Sequence, residues 1–410
     1  MKCDITIRKT CRLCGNSSFE PVASFPQMPF TDEFLSPSRL GEEFLSDIRI
    51  SWCTECRSAQ NLCDVHIAEY YRDYQYTVSA SSFARRFMKR VAEESFRRFE
   101  LRPGDRVIEV GSGDGFQLKC FQDLGASVLG FEPSDVLTES ARKSGVPTIQ
   151  TLFNCEGVEQ IPVNMRSAQI VLLTYTFDHL PDPRAFLSLA EQVLDPIRGV
   201  LLIEVHDFAK IVSRREICLF EHEHSIYLTA LSMERLLNQC GFQLLATDLL
   251  PENERRGNSL LIAAVPEANR SFQQTYLQTE EDHALDEVAT IRRFEGEVQA
   301  GMQRLREHLF KQKALGRRVA GYGAGGRGVM TLAMVGITDR EVAYLCDQNL
   351  GFHGLYTPAT HIPVVAPSMI DEDPVDELLV FSYGYLDEIR LSLSGFIHRG
   401  GTVTSMLDFL

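Results

Sequence analysis

"DRVIEVGSGDGFQL", Asp105–Leu118, decides the fold. Five residues of β-prone, mostly apolar character run into Gly111, Gly113 and Gly115, and an apolar helix start follows. This is a buried strand, a glycine turn and a helix N-terminus. The missing side chains let the backbone pass close beneath a ligand. A glycine triplet alone is shared with dinucleotide folds, but those favour G-x-G-x-x-G, and positions 116 and 117 here are Phe and Gln.

The flanking sequence extends the pattern. "ASVLGFEPS" (Ala126–Ser134) is a second strand ending in Glu132, seventeen residues beyond Gly115, where an acid can take both hydroxyls of a ribose. "AQIVLLTYTFDHLPDP" (Ala168–Pro183) is a later strand ending in Asp178–His179, and "GVLLIEVHDF" (Gly199–Phe208) supplies the next. Strands alternating with helices imply a parallel sheet that binds ligands at its carboxyl ends. The glycine turn, the acid closing the next strand and "DHLPDP" together resemble the S-adenosylmethionine site of class I methyltransferases.

Composition sets the bounds. At 410 residues the chain exceeds one domain on a prior of ~150 residues each. A hydrophobic content of 44% with 24% charged residues is that of a globular protein. The net charge of −15 argues against nucleic acid and anionic membranes, which want clustered positive charge. No apolar run reaches a membrane span and the N-terminus lacks a signal core, so a cytoplasmic protein is expected. Its cysteines should then be thiols or metal ligands. "CRLCG" and "WCTECR" place Cys11, Cys14, Cys53 and Cys56 in two C-x2-C units, the all-sulfur ligand set of a closed structural zinc site. Cys3 and Cys63 stand outside it.

From about residue 266 to 315 the sequence is charged and helical, read as one or two connecting helices. "RRVAGYGAGGRGVMTLAMVGI" (Arg317–Ile337) then opens a second strand, glycine turn and helix. Its backbone amides would face a pyrophosphate at a helix N-terminus, with Arg327 adding a cation. The expected organisation is α/β: a zinc-binding lobe (1–75), a doubly wound methyltransferase domain (76–265), a helical linker (266–315) and a smaller Rossmann-like domain (316–410).

"FEHEH", Phe220–His224, alternates two acids with two histidines. Histidines two apart do not make the four-apart pair of a metalloprotease helix. In an extended chain they would share one face, with Glu221 and Glu223 on the other.

Taken in order, the cysteine pairs, "YQYTVSASS" (Tyr74–Ser82), "EVGSGDG", "FEPS", "DHLPDP", the E-H pair, "GYGAGGRG" and "YTPATHIP" (Tyr356–Pro363) resemble the nucleotide-sugar C-methyltransferases of deoxysugar biosynthesis. The resemblance spans nearly the whole chain. It implies methyl transfer from S-adenosylmethionine to a ring carbon, typically carbon 3, of a 4-keto-6-deoxy sugar nucleotide. It also implies His224 as the base that forms the enolate, Glu223 orienting it, and His179 and Tyr76 in the cleft. The donor would be held by Glu109, Gly111, Gly113, Gly115, Glu132, Pro133 and Asp178. The nucleotide-linked acceptor would be held by Tyr322, Gly323, Arg327, Asp347, Tyr356 and His361. His222 falls at the surface or behind these residues. Glu221 departs from the family's tyrosine; it is either protonated in a dry site or directed at another substrate group such as an amine. In "ERRGNSLLI" (Glu254–Ile262) an expected arginine is Leu261, with Arg255 or Arg256 as substitutes. The alternatives are an O- or N-methyltransferase on a phosphorylated or nucleotide-linked acceptor, an inactive nucleotide-binding module and an NAD-linked oxidoreductase. A monomer or small homo-oligomer is expected.

Overall fold

The structure is a computed structural model describing residues 4–65, 79, 81–255, 258–269, 271–276, 278, 283–383 and 386–410. Tyr76 and Arg256 lie outside the described residues. In Leu45–Cys53, Ile48, Ile50 and Trp52 are buried while Arg49 between them is exposed, the period of two that a half-buried strand requires. It pairs antiparallel with Phe19–Pro29 and Ala59–Asn61. The fourth strand of this N-terminal sheet comes from far along the chain: Ile226–Tyr227, immediately after the E-H-E-H run, pairs with Gln60 and Ala59.

The central sheet has seven strands: Arg106–Val110, Ser127–Phe131, Thr148–Ile149, Ile170–Thr174, Val200–His206, Phe242–Thr247 and Ser259–Pro266. Numbered along the chain, they lie in the order 3-2-1-4-5-7-6, with only the seventh antiparallel. The order reverses between the first and fourth strands, which opens a crevice above their carboxyl ends. The glycine turn, Asp178–His179 and His206 all lie on that edge.

Much of the charged stretch forms one long helix, Val288–Ala314. Ile291, Phe294, Val298, Met302, Leu305 and Leu309 recur every three or four residues and are buried, as for a helix with one apolar stripe. That stripe shares a core with Phe25, Ile48 and Trp52 of the first sheet, with Phe220 and Tyr227, and with Val319 and Leu379 of the last sheet. The last sheet has five parallel strands in the order 3-2-1-4-5: Val319–Tyr322, Leu345–Cys346, Val364–Val365, Glu377–Val380 and Thr402–Ser405. Its first strand feeds the second glycine turn and helix Gly326–Val335.

Candidate active site

The first glycine turn is fixed by backbone geometry and close packing. Gly111, Gly113 and Gly115 have φ of +70°, +53° and +78°, a region L-residues avoid. A Cβ on Gly111 would stand 2.5 Å from Thr176 Oγ1, and one on Gly115 3.0 Å from the Ala141 side chain. At Gly113 the same Cβ meets nothing within 4 Å among the described residues, which leaves the crest of the turn room for a ligand. Glu132, closing the next strand, accepts the Gly113 N–H at 2.8 Å and the Ser134 N–H at 2.9 Å, and half-buried Pro133 follows it. Glu109, 2% exposed, has one carboxylate oxygen without a hydrogen-bond partner among the described residues. Burial, Asp114 and Glu132 push its pKa well up. An open glycine crest flanked by Glu132, Asp114 and the buried carboxyl of Glu109 fits a sulfonium donor bearing a ribose diol. Gly111→Ala is expected to lower stability by roughly 2 kcal/mol through positive-φ strain and the clash with Thr176, read as a lower Tm. An unchanged Tm would mean that the turn adapts freely.

The alternating acids and histidines are not an extended strand, and this corrects the shared-face expectation. Nor is His222 at the surface: it is buried between Phe30 and Phe44, at centroid distances of 5.4 and 5.3 Å, and donates from Nε2 to the Met28 carbonyl at 2.9 Å. His224 turns the opposite way. Its Nδ1 donates to the Leu219 carbonyl at 2.7 Å, which places the proton on Nδ1 and leaves the lone pair on Nε2. Its ring lies 5.1 Å from that of His179 and 4.6 Å from that of His206.

His206 is the residue that sequence reading missed, although its place at the end of the fifth strand could have marked it. Its Nδ1 donates to Asp178 Oδ2 at 2.9 Å, and its ring stands 4.5 Å from that of Tyr175. Asp178, expected beside the methyl donor, therefore makes its contacts with the histidines. Burial would raise its pKa, but His206, His179 and His224 outweigh burial and hold the carboxyl well below its usual range. Burial pushes His179 down to about 4, so its ring is neutral at pH 7. Burial also lowers His224, but Glu221, Asp178 and the Leu219 carbonyl reverse that, and its pKa lies above the usual value. Half-buried Glu223 adds to the same field.

Glu221 joins this cluster to the second glycine turn. A Cβ on Gly326, the first residue of helix Gly326–Val335, would stand 3.1 Å from Glu221 Oε1. Burial and Asp32 raise the pKa of Glu221, against the pull of His224 and a hydrogen bond with Thr31. The neighbouring Arg327 lies 3.6 Å from Glu216 Oε1 and 4.6 Å above the Tyr383 ring, while the Tyr383 hydroxyl donates to Glu216 at 3.1 Å. The cation expected at a pyrophosphate thus has partners within its own chain.

The remaining acceptor residues divide into two groups. Tyr322 ends the first strand of the last sheet and, with Gln348, Pro367, Phe396 and Arg399, lines a cavity of about 260 Å3. Gly323 is required by Ser382, whose Oγ would stand 2.2 Å from an added Cβ. Asp347 accepts the Ala324 and Asn349 N–H groups, each at 2.8 Å, repeating the way Glu132 holds the first turn. Tyr356 and His361 lie elsewhere, docked on the N-terminal lobe. Tyr356 bridges to Leu35, and His361 donates to Glu43 at 2.5 Å. Nor is Arg255 a ready substitute for the absent arginine: it is buried, bonded to the Ser259 carbonyl and paired with Asp248.

In the N-terminal lobe the four cysteine sulfurs converge. Cys11 and Cys56 Sγ are 3.5 Å apart and Cys14 and Cys53 Sγ 3.6 Å, close to the roughly 3.8 Å edge of a tetrahedron with zinc–sulfur bonds of 2.3 Å. Gln60 Nε2 and the Leu13 N–H donate to Cys11 Sγ, as expected around a thiolate ligand. The cluster fits a structural zinc with all four positions filled.

Three family models match successive stretches of the chain. Residues 11–71 match the family described as "Putative zinc binding domain", 82–247 "Methyltransferase domain" and 255–407 "C-methyltransferase C-terminal domain". The C-methyltransferase NovU of Streptomyces niveus is 26% identical over 396 residues, covering 95% of this chain and 93% of that protein. A ubiquinone biosynthesis O-methyltransferase of Rhodopseudomonas palustris is 29% identical over 126 residues, 30% of this chain and 48% of its own. The solved magnesium protoporphyrin IX methyltransferase (ChlM) of Synechocystis PCC 6803 with bound SAH is 17% identical, covering 48% of this chain and 91% of that one, at a TM-score of 0.36 too low to bear on fold or chemistry. With the zinc-binding cysteines, the donor-binding sheet and the C-terminal unit each matched in this order, and one relative aligned along nearly all of it, the chain belongs to the S-adenosylmethionine-dependent C-methyltransferases.

Proposed function

We propose that the acceptor is a 4-keto-6-deoxy sugar linked to a nucleotide, methylated at the ring carbon beside the ketone, carbon 3, through an enolate formed by His224. The observation that carries this reading is the tether of His224 Nδ1 to the Leu219 carbonyl. It fixes the tautomer, so that Nε2 can take a proton from the ring carbon without reorienting. A C–H beside a carbonyl is acidic enough for an imidazole base; an isolated ring C–H is not. Bound S-adenosylmethionine supplies the electrophilic methyl. Charge that develops on the ketone oxygen needs a donor, and Glu221, raised toward its neutral acid by burial, is the group beside His224 suited to give one. His179, whose ring stands 5.1 Å away, and Glu223, next to His224 in sequence, flank the base. The second glycine turn meets this cluster through Gly326 and Glu221, which supports an acceptor bound across the seam. Glu109, the first glycine turn, Glu132 and Pro133 hold the donor in this account, and Tyr322, Gly323 and Asp347 receive the nucleotide.

The test is an acceptor carrying deuterium at carbon 3. Release of one deuteron to solvent per methyl transferred is expected. Methylated product that retains the label would mean transfer to oxygen or nitrogen and overturn the reading.

A further inference from the structure

A second cluster of metal-ligating side chains lies in the same cleft, apart from the four cysteines. Asp178, His179 and His224 each present one ligand atom, and these atoms lie within 4.8 Å of one another. Two imidazoles and one carboxylate with positions left over form the ligand set of open first-row transition-metal sites. Asp178 and His224 are 3% and 6% exposed. Asp178 Oδ1 has no hydrogen-bond partner among the described residues and stands 4.0 Å from His179 Nε2. A buried carboxylate oxygen left without a partner is costly, and a cation at this point satisfies it.

The surrounding bonds fit ligation as well. His224 Nδ1 donates to a backbone carbonyl and Asp178 Oδ2 accepts from His206, the kind of outer contact that aims metal ligands. Coordination at about 2.1 Å needs the ligand atoms to close to roughly 3.4 Å.

We propose that Asp178, His179 and His224 form a second, open metal site that takes a divalent ion such as Zn2+, Co2+ or Ni2+ when the cleft holds no acceptor, and that its occupation stops methyl transfer. Binding follows from ligand geometry alone. Inhibition rests on the reading of His224 as the base, because the ion occupies the Nε2 lone pair that would take the proton.

The test is titration of full-length, zinc-replete enzyme with Co2+. One added equivalent is expected, with visible d–d bands but no thiolate-to-cobalt charge transfer, which separates this site from the cysteines. His179→Ala and Asp178→Asn should each weaken cobalt binding at least about tenfold, with retained S-adenosylmethionine binding showing that the variants are folded. Methyl transfer should fall in step with occupancy and return on brief chelation, with the cysteine-bound zinc retained. Absence of a second equivalent in the wild type, or unchanged affinity in both variants, overturns the site. Binding without inhibition supports the site and contradicts the base assignment of His224.

Discussion

His224→Asn is expected to lower kcat for methyl transfer at least about a hundredfold, or about 2.7 kcal/mol of barrier, the scale of a lost general base. The Kd for S-adenosylmethionine should not change. Asparagine can still donate to the Leu219 carbonyl, so the loop keeps its tether while the basic nitrogen is gone. His222→Asn is the matched control. It sits two residues away in the same alternating run, but its ring is buried against Phe30 and Phe44. It should cost stability and leave kcat within a few-fold of wild type. Equal loss of kcat in both variants would mean that the loop, and not the imidazole of His224, matters.

Cys53→Ser is expected to release the zinc and to reduce methyl transfer about tenfold or more, although Cys53 is not itself one of the cleft residues. The link is structural. Cys53 ends one strand of the N-terminal sheet, Ala59–Asn61 pairs with that strand, and Ile226–Tyr227 pairs with Ala59–Asn61. The Asn61 N–H also donates to the Ser225 carbonyl at 3.0 Å, next to His224. Structural zinc is folding energy, so loss of one thiolate loosens the sheet that anchors the loop carrying His224. Metal analysis, Tm and kcat should fall together. Cys63→Ser, at a buried cysteine outside the cluster, should keep its zinc. A zinc-free Cys53→Ser enzyme with full activity would contradict this coupling.

The donor half of the molecule was legible in the sequence because its constraints are local. Positive φ at Gly111, Gly113 and Gly115 admits few residues other than glycine, and Glu132 follows at a spacing fixed by one helix and one strand. Two C-x2-C turns announce four converging sulfurs in the same way. The acceptor half was less legible because long-range packing decides it. His222 is held by Met28, 194 residues away, so the period of two in the E-H-E-H run carried no information about facing. Arg327 stands where a helix N-terminus invites a phosphate, yet Glu216 and Tyr383, distant from it in sequence, reach it. "YTPATHIP" reads as one substrate motif, and its fold pairs the Tyr356 backbone with Leu35 and the His361 ring with Glu43. His206 went unnoticed because an isolated histidine at a strand end gains meaning only when Asp178 is found opposite.

The central claim is that one imidazole reaches the acidic ring carbon that faces the methyl donor. A crystal structure with S-adenosylhomocysteine and a 4-keto-6-deoxy sugar nucleotide measures this directly. The account predicts His224 Nε2 within about 3.5 Å of carbon 3, with that carbon in line with the donor sulfur. A ring carbon lying on the far side of Glu221, beyond reach of His224, would contradict it.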